Sequence, residues 1–214
     1  WVTGNNLNTA RRNVAGFGIQ TAALCVGGFI PPVSALTESY NGTNWTEVNN
    51  LTTARGYLTG CGTNTAALAF GGNVTPNSVQ SLTETWNGTN WAAVNTLNVA
   101  RRSLGAAGTN TAALAFGGET SPGADLNETE LWNGTNWTAV NDLNNKNEGV
   151  VGAGTQTAAL AMGGSETTTA TESWNGTNWT AITAMNIGTT RAGSAGTQTA
   201  ALIFAGAPGI QTQA

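Results

Sequence analysis

Short apolar runs recur along the chain, separated by glycine, asparagine and threonine. One of them, residues 112–116, reads Ala-Ala-Leu-Ala-Phe. A run that is apolar at every position predicts a strand buried on both faces. The residues between the runs are weak helix formers, and no apolar period of 3.6 residues continues between the glycines. The pattern therefore predicts an all-β protein built from many short strands.

The chain contains internal sequence repeats that are nearly identical. The string Asn-Gly-Thr-Asn-Trp ends at Trp45, Trp91, Trp137 and Trp179, and the string Thr-Ala-Ala-Leu begins at Thr21, Thr65, Thr111, Thr157 and Thr199. Successive copies of the second string are 44, 46, 46 and 42 residues apart. A period of about 40–50 residues that contains several short strands is typical of the blades of a β-propeller.

A single repeat, residues 98–143, predicts four strands. We place them at 102–108, 111–116, 127–132 and 137–142. Between the last two lies Asn133-Gly134, a pair that favours a two-residue hairpin turn in which both residues have positive φ.

The number of repeats predicts five blades. Residues 1–7 align with residues 45–51, the fourth strand of a repeat, so the N-terminal strand can complete the last blade. We therefore expect a five-bladed β-propeller of four-stranded antiparallel blades, whose ring closure removes the sheet edge. The predicted units are 1–7 (outer strand of blade five), 8–51, 52–97, 98–143, 144–185 and 186–214 (inner strands of blade five). The alternative is a fragment of a larger propeller or of an end-to-end array.

Tryptophan and cysteine supply candidate core residues. Trp1, Trp45, Trp91, Trp137 and Trp179 occupy one position per repeat. Each can bury about 150–250 Å², so we expect packing between blades rather than five ligand platforms. Cys25 and Cys61 align with alanines of sister repeats, and we interpret them as small buried side chains.

Composition excludes several classes of function. Charged residues make up 8% of the chain, against about 25% in ordinary domains, and the net charge is −4. Lys146 is the single lysine and no basic cluster occurs, which argues against nucleic-acid binding. There is no histidine, the commonest general base and metal ligand. No apolar run is long enough to span a membrane. We expect no metal and no cofactor.

The repeat resembles the kelch repeat. Its marks are a glycine pair, an aromatic residue, a tryptophan and an arginine before the next strand. The matching residues are Gly27, Gly28, Tyr40, Trp45 and Arg55; then Gly71, Gly72, Trp86, Trp91 and Arg101; then Gly117, Gly118, Trp132 and Trp137; then Gly163, Gly164, Trp174 and Trp179. The sequence departs from that pattern where Asn147 replaces the arginine and where Ala205 begins the last doublet. The sequence motif Asn-Gly-Thr-Asn-Trp also resembles repeats of marine bacteriophage proteins. This resemblance would imply a virion or tail-fibre role.

One end of the predicted propeller differs between repeats and is our candidate binding face. It carries the loops between second and third strands, at 29–35, 73–81, 119–126, 165–170 and 207–210. Variable loops on a rigid scaffold are where binding residues concentrate. The candidate ligand-binding residues are Arg11, Arg55, Arg101, Phe29, Asn73 and Asp125. For the arginines, the alternative is a structural role in which each binds carbonyls or a carboxylate of its own or the next blade.

We expect a binding module rather than an enzyme. Copper oxidases that resemble galactose oxidase need histidine ligands, and sialidase-like propellers need a tyrosine nucleophile with an arginine cluster. Neither tyrosine suits that role, because Tyr40 lies at a packing position and Tyr57 in a first strand. Glu128 and Glu130 are two residues apart on one strand, and we interpret them as a solvated strand edge rather than as catalytic carboxylates. The expected ligands are surface glycans or a host receptor, and other virion proteins are further candidate partners. We expect an extracellular or virion location. We also expect the propeller to be a monomer unless it is part of a larger fibre. The alternative is a structural or protein-interaction scaffold, natural or engineered, without a small-molecule ligand.

Overall fold

The structure is a computed structural model that describes residues 4–74, 78–121, 123–165 and 168–206. Across these ranges the regular structure consists of β-strands, with no α-helix. Consequently, none of the described residues forms a helix that could cross a membrane.

Sixteen of the strands form four antiparallel four-stranded sheets, which we call blades one to four. Blade one contains β1 (Ala15–Ile19), β2 (Ala22–Val26), β3 (Thr37–Tyr40) and β4 (Trp45–Val48). Blade two contains β5 (Thr59–Gly62), β6 (Ala67–Phe70), β9 (Thr83–Trp86) and β10 (Trp91–Val94), with β7 (Asn73–Val74) and β8 (Ser78–Val79) as a small hairpin in its loop. Blade three contains β11 (Gly105–Gly108), β12 (Ala113–Phe116), β13 (Thr129–Trp132) and β14 (Trp137–Val140). Blade four contains β15 (Val151–Gly154), β16 (Ala159–Met162), β17 (Thr171–Trp174) and β18 (Trp179–Ala181).

The fifth repeat differs from the prediction of a fifth four-stranded blade. It forms a two-stranded sheet of β19 (Gly193–Thr197) and β20 (Ala200–Phe204). The structure thus shows four complete blades where we predicted five. The segments expected to complete the fifth, residues 1–7 and 207–214, lie largely outside the described residues, which include only 4–7 of them.

The first strand of every repeat faces a common central cavity. Strand β1 packs against β5, β5 against β11, β11 against β15, and β15 against β19. The cavity has a volume of about 900 Å³, and its lining includes glycine or alanine from each of these five inner strands. Small residues allow the inner strands of adjacent repeats to approach closely.

The observed strands are shorter than those predicted. In blade three, β11 begins at Gly105 because Arg102 forms only an isolated bridge to Glu119 and Ser103 adopts a positive φ of 54°. The second and third strands also begin two residues later than expected, at Ala113 and Thr129.

The predicted two-residue hairpin turn is wrong. Trp132 pairs with Trp137, so the loop contains four residues, and within it Gly134 but not Asn133 has a positive φ. The Asn133 side-chain oxygen accepts hydrogen bonds from the backbone N–H groups of Thr135 and Asn136 at 2.9 and 2.8 Å. These side-chain bonds stabilise the four-residue loop, so the chain does not need the two-residue turn with two positive φ values that we expected.

The core lies between adjacent blades. Trp91, Trp137 and Trp179 are buried, as predicted, and Trp45 is half-buried. The indole N–H of Trp91 donates to the hydroxyl of Thr37 on the third strand of the preceding blade at 3.0 Å. Trp137 and Trp179 repeat this bond with Thr83 and Thr129 at 3.0 Å. Trp1 lies outside the described residues.

Both cysteines are free thiols in the core, in agreement with the sequence interpretation. Burial raises the pKa of Cys61 to about 12, and it also raises that of Cys25. A reactive cysteine needs a lowered pKa, so these two are packing residues.

Candidate functional site

The three arginines proposed as ligand-binding residues are buried, with side chains that are 0% exposed. Arg55 Nη2 lies 3.0 Å from Glu84 Oε1, and its Nη1 donates to the carbonyls of Gly71 at 2.8 Å and Leu82 at 2.9 Å. These bonds join the beginning of blade two to its second and third strands.

The other two arginines form the same kind of pair. Arg101 lies 3.0 Å from Glu130, and Arg11 is bonded to Glu38. Burial lowers the pKa of Arg55 and Arg101, and the neighbouring glutamates offset part of that effect. Because an arginine pKa starts far above neutrality, the groups remain charged. These arginines therefore stabilise the blades, and the prediction that Arg11, Arg55 and Arg101 bind a ligand is wrong because their side chains are buried in ion pairs.

The same glutamates also bind the segment through which the chain enters their own blade from the preceding one. Glu84 Oε2 accepts from the backbone N–H of Thr52 at 2.7 Å, and Glu130 Oε2 accepts from that of Asn98 at 2.8 Å. Burial alone would raise the pKa of Glu38, but hydrogen bonds from Asn8 and from Arg11, with its charge, lower it below the usual value. The interpretation of Glu130 as part of a solvated edge is wrong because this side chain is buried in an ion pair.

The other three predicted residues lie apart from one another. Phe29 is half-buried beneath Arg12, whose guanidinium carbon is 4.8 Å from the ring centroid. Asn73 is buried, and its backbone pairs with Gly56 at 2.8 and 3.0 Å. Asp125 accepts a hydrogen bond from the hydroxyl of Ser165. The structure does not bring them together with the arginines into one site.

A different set of residues surrounds one mouth of the central cavity. Its members stand two positions after the arginine position of each repeat, and we call them the mouth ring. They are Asn13, Tyr57, Ser103, Gly149 and Arg191. All five have a left-handed backbone, with φ between 52° and 67°.

Backbone hydrogen bonds link the mouth ring from blade to blade. The N–H of Tyr57 donates to the carbonyl of Asn13 at 3.0 Å, and that of Ser103 to the carbonyl of Tyr57 at 3.0 Å. Gly149 donates to Ser103 and Arg191 to Gly149, both at 2.8 Å. The same backbone geometry thus presents a different side chain at each step.

The mouth ring lines a cavity of about 320 Å³. Its floor is apolar and contains Leu58, Leu104 and Val150. Glycine is the residue that adopts positive φ without strain, and other residues pay of order 1–3 kcal/mol for it. Tyr57 and Arg191 are therefore costly choices for the backbone alone.

Charged groups extend this site. The Arg102 guanidinium lies 5.6 Å from the Tyr57 ring centroid, and its Nε donates to Glu119 Oε1 at 3.0 Å. Arg191 donates to Glu148 at 2.8 Å and lies 3.9 Å from Glu119. Arg191 is 49% exposed, so its remaining N–H groups can reach a ligand.

The acid at this site has a shifted pKa. Burial raises the pKa of Glu148, and the charges of Glu119 and Asp125 raise it further, while Arg191 lowers it; the pKa lies above its usual value. A cleft that combines an aromatic face, guanidinium donors and small polar groups suits a hydroxylated or anionic ligand. No group of three acidic or thiol side chains that could hold a metal ion occurs in the part of the chain that the structure describes.

Comparisons with known proteins identify the fold. No family model matches the chain, and no curated protein matches it. A solved structure described as "Structure of YjhT" is similar with a TM-score of 0.78 and 12% sequence identity, over 92% of this chain and 77% of that chain. The fold is a β-propeller.

Sequence reasoning missed most of the residues at this mouth of the propeller. It placed Tyr57 in a first strand and assigned no role to Asn13, Ser103, Gly149 or Arg191. These positions carry a different residue in every repeat, but the positions directly before them vary almost as much: they are Arg12, Gly56, Arg102, Glu148 and Thr190. Sequence variation alone therefore does not single out the mouth ring.

Proposed function

We propose that this propeller is a non-enzymatic recognition module that binds carbohydrate, such as the glycan of a cell surface, at the mouth ring. One observation carries the proposal: five equivalent backbone positions present Asn, Tyr, Ser, Gly and Arg around one cavity, at a backbone geometry that favours glycine. Side chains kept at a local cost are typical of functional sites.

The chemistry of the mouth ring matches a sugar. Tyr57 offers an aromatic face for the apolar side of a pyranose ring, and Asn13 and Ser103 offer hydrogen bonds to hydroxyl groups. The exposed guanidinium of Arg191 suits a carboxylate or a pair of hydroxyls. We favour an acidic glycan because Arg191 lines the cavity and the guanidinium of Arg102 lies beside the Tyr57 ring.

We propose binding without catalysis because the glutamates near the cavity are ion-paired. Glu119 is ion-paired with Arg102, and Glu148 is ion-paired with Arg191. A glycosidase needs two carboxyl groups that can act as acid and base on either side of the bond. We therefore propose that the glutamates orient the arginines.

The test is a glycan array probed with the wild-type chain, with two mouth-ring variants and with a control that has the same charge as the arginine variant. We expect binding to a related set of acidic sugars that is lost in Tyr57→Ala and in Arg191→Ala. The matched control is Arg12→Ala, which removes an exposed arginine from the same face outside the mouth ring. Equal binding by all variants, or no binding by a folded wild-type chain, would refute the proposal.

A scaffold role is the second candidate, and a specific observation favours it. The Asn-Gly-Thr-Asn turn of one blade is joined to the asparagine that follows the outer strand of the preceding blade, and this side-chain bond recurs from Asn49 to Asn90 and from Asn95 to Asn136, both at 2.7 Å. A nearly uniform surface of this kind suits repeated docking against another protein. The resemblance to phage repeats would place such a scaffold, or the recognition module, on a virion or outside a cell.

We further infer that the N-terminal segment completes a fifth blade. Asn5 binds Asn44 at 2.7 Å, as Asn49 binds Asn90, so Asn5 occupies the position that follows an outer strand. Asn8 donates to Glu38 at 2.7 Å, as Thr52 does to Glu84. These bonds support an outer strand at residues 1–7 and, with it, a five-bladed ring.

A further inference from the structure

Blade four departs from the arginine–glutamate design of the first three blades. Asn147 stands where the others carry Arg11, Arg55 and Arg101. Its Nδ2 donates to the carbonyl of Gly163 at 2.6 Å, which is the counterpart of the bond from Arg55 to Gly71. The glutamate of the pair is nevertheless retained, as Glu172.

Glu172 is buried without a counter-charge. The residue is 6% exposed, and its Oε2 accepts from the backbone N–H of Asn144 at 3.0 Å, as in the other blades. Its Oε1 is the counterpart of the atom that meets an arginine in Glu84 and Glu130. Among the described residues, Glu172 Oε1 has no hydrogen-bond or ion-pair partner, and it is not one of the fully buried atoms that lack a partner, so it opens to adjoining space. A carboxylate of a largely buried side chain that has no counter-charge favours a cationic partner.

Beside Glu172 lies a cavity of about 320 Å³, which we call the Glu172 cavity. Ala170 lines it and is the counterpart of Leu82, whose carbonyl accepts a bond from Arg55. Asp125 and Lys146 also line it. Lys146 is exposed and forms no ion pair within the described part of the chain, so the cavity wall has an excess of negative charge.

We propose that the Glu172 cavity binds a guanidinium group, carried by a small cation or by an arginine side chain of another molecule. The binding of the Arg55 guanidinium in blade two shows how such a group would be held. In blade two, one guanidinium nitrogen meets a glutamate oxygen at 3.0 Å and the other meets a carbonyl at 2.9 Å. The Glu172 cavity offers the same two acceptor types on counterpart residues. A planar fork of donors fits them better than a spherical cation.

The test is a titration with N-methylguanidinium at concentrations too low to unfold the protein, followed by calorimetry and by the NMR signal of the Asn147 side-chain amide. We expect saturable one-to-one binding and none with N-methylurea, the neutral analogue. Glu172→Gln should weaken binding about ten- to a hundredfold, because a charged hydrogen bond is lost. Asn147→Arg should abolish it by filling the cavity.

Controls separate this site from other acidic groups. Glu148→Gln, a neighbouring carboxylate that does not line the cavity, should leave binding unchanged. Arg101→Asn rebuilds the blade-four arrangement beside Glu130 and should add a second equivalent of binding. A peptide, acetyl-Gly-Arg-Gly-amide, distinguishes the sources: tighter binding than the free cation indicates an arginine side chain, and weaker binding indicates a small cation.

Two outcomes would overturn the proposal. One is the absence of saturable binding to the wild-type chain by both probes. If binding then appeared in Lys146→Ala, the natural counter-charge would be this chain's own lysine rather than a ligand. The other is binding that survives both Glu172→Gln and Asn147→Arg, which would place the cation elsewhere. Because Glu172→Gln, Asn147→Arg and Lys146→Ala leave the mouth ring and its glutamate partners untouched, failure here leaves the carbohydrate proposal standing.

Discussion

At the residue scale, the pair of Arg55 and Glu84 is held by burial and by the bond from Thr52, which enters the blade, to Glu84. Arg55→Met removes the counter-charge and leaves the Glu84 carboxyl group buried without its partner. We expect this to lower the free energy of unfolding by about 3–5 kcal/mol, measured by urea denaturation near neutral pH.

Arg102→Met is the matched control for that change. Arg102 is 22% exposed and pairs with Glu119 at 3.0 Å, so water can replace most of what is lost. We expect a loss below about 1 kcal/mol. Equal losses for Arg55→Met and Arg102→Met would contradict the structural role of the buried pair.

At the element scale, the close approach of the inner strands depends on glycine at one position of β15. A Cβ at Gly152 would lie 2.2 Å from the carbonyl oxygen of Ala106 and 2.6 Å from the ring of Phe116, both in the preceding blade. We expect Gly152→Ala to destabilise the protein by about 1–3 kcal/mol, measured as a shift in the denaturation midpoint.

Gly16 is the counterpart of Gly152 in β1 and serves as its control. A Cβ there would have its nearest neighbour at 3.9 Å, the carbonyl oxygen of Leu24. Gly16→Ala should therefore be neutral or stabilising by up to about 1 kcal/mol, since alanine restricts the unfolded chain. A loss as large as that of Gly152→Ala would show that strand propensity, rather than contact between blades, sets the preference for glycine.

The elements were also the scale at which the sequence was most informative. Apolar runs and repeated turns located the strands of blade three to within two or three residues. They could not locate the mouth ring, because a left-handed Tyr57 or Arg191 has no compositional signal. Nor could they decide the role of Arg101, since the facing Glu130 is brought to it only by strand pairing across the blade.

At the scale of the whole molecule, the junctions formed by the fifth repeat differ from the others. Strand β20 is largely exposed, whereas β6, β12 and β16 are fully buried, and Leu202 is 39% exposed. On blade four, the hydroxyl of Thr171 is buried without a partner among the described residues. Its counterparts Thr37, Thr83 and Thr129 each accept an indole N–H from the next blade.

Trp1 is the residue whose place in the repeat corresponds to the missing donor, and a double-mutant cycle tests this. Trp1→Phe and Thr171→Val should each destabilise the protein, and the two changes should couple by about 0.5–1.5 kcal/mol if the indole donates to the hydroxyl. The cycle of Trp91→Phe with Thr37→Val, whose bond is 3.0 Å long, calibrates the coupling. A coupling near zero at Trp1, beside a measurable one at Trp91, would rule out closure by the N-terminal strand.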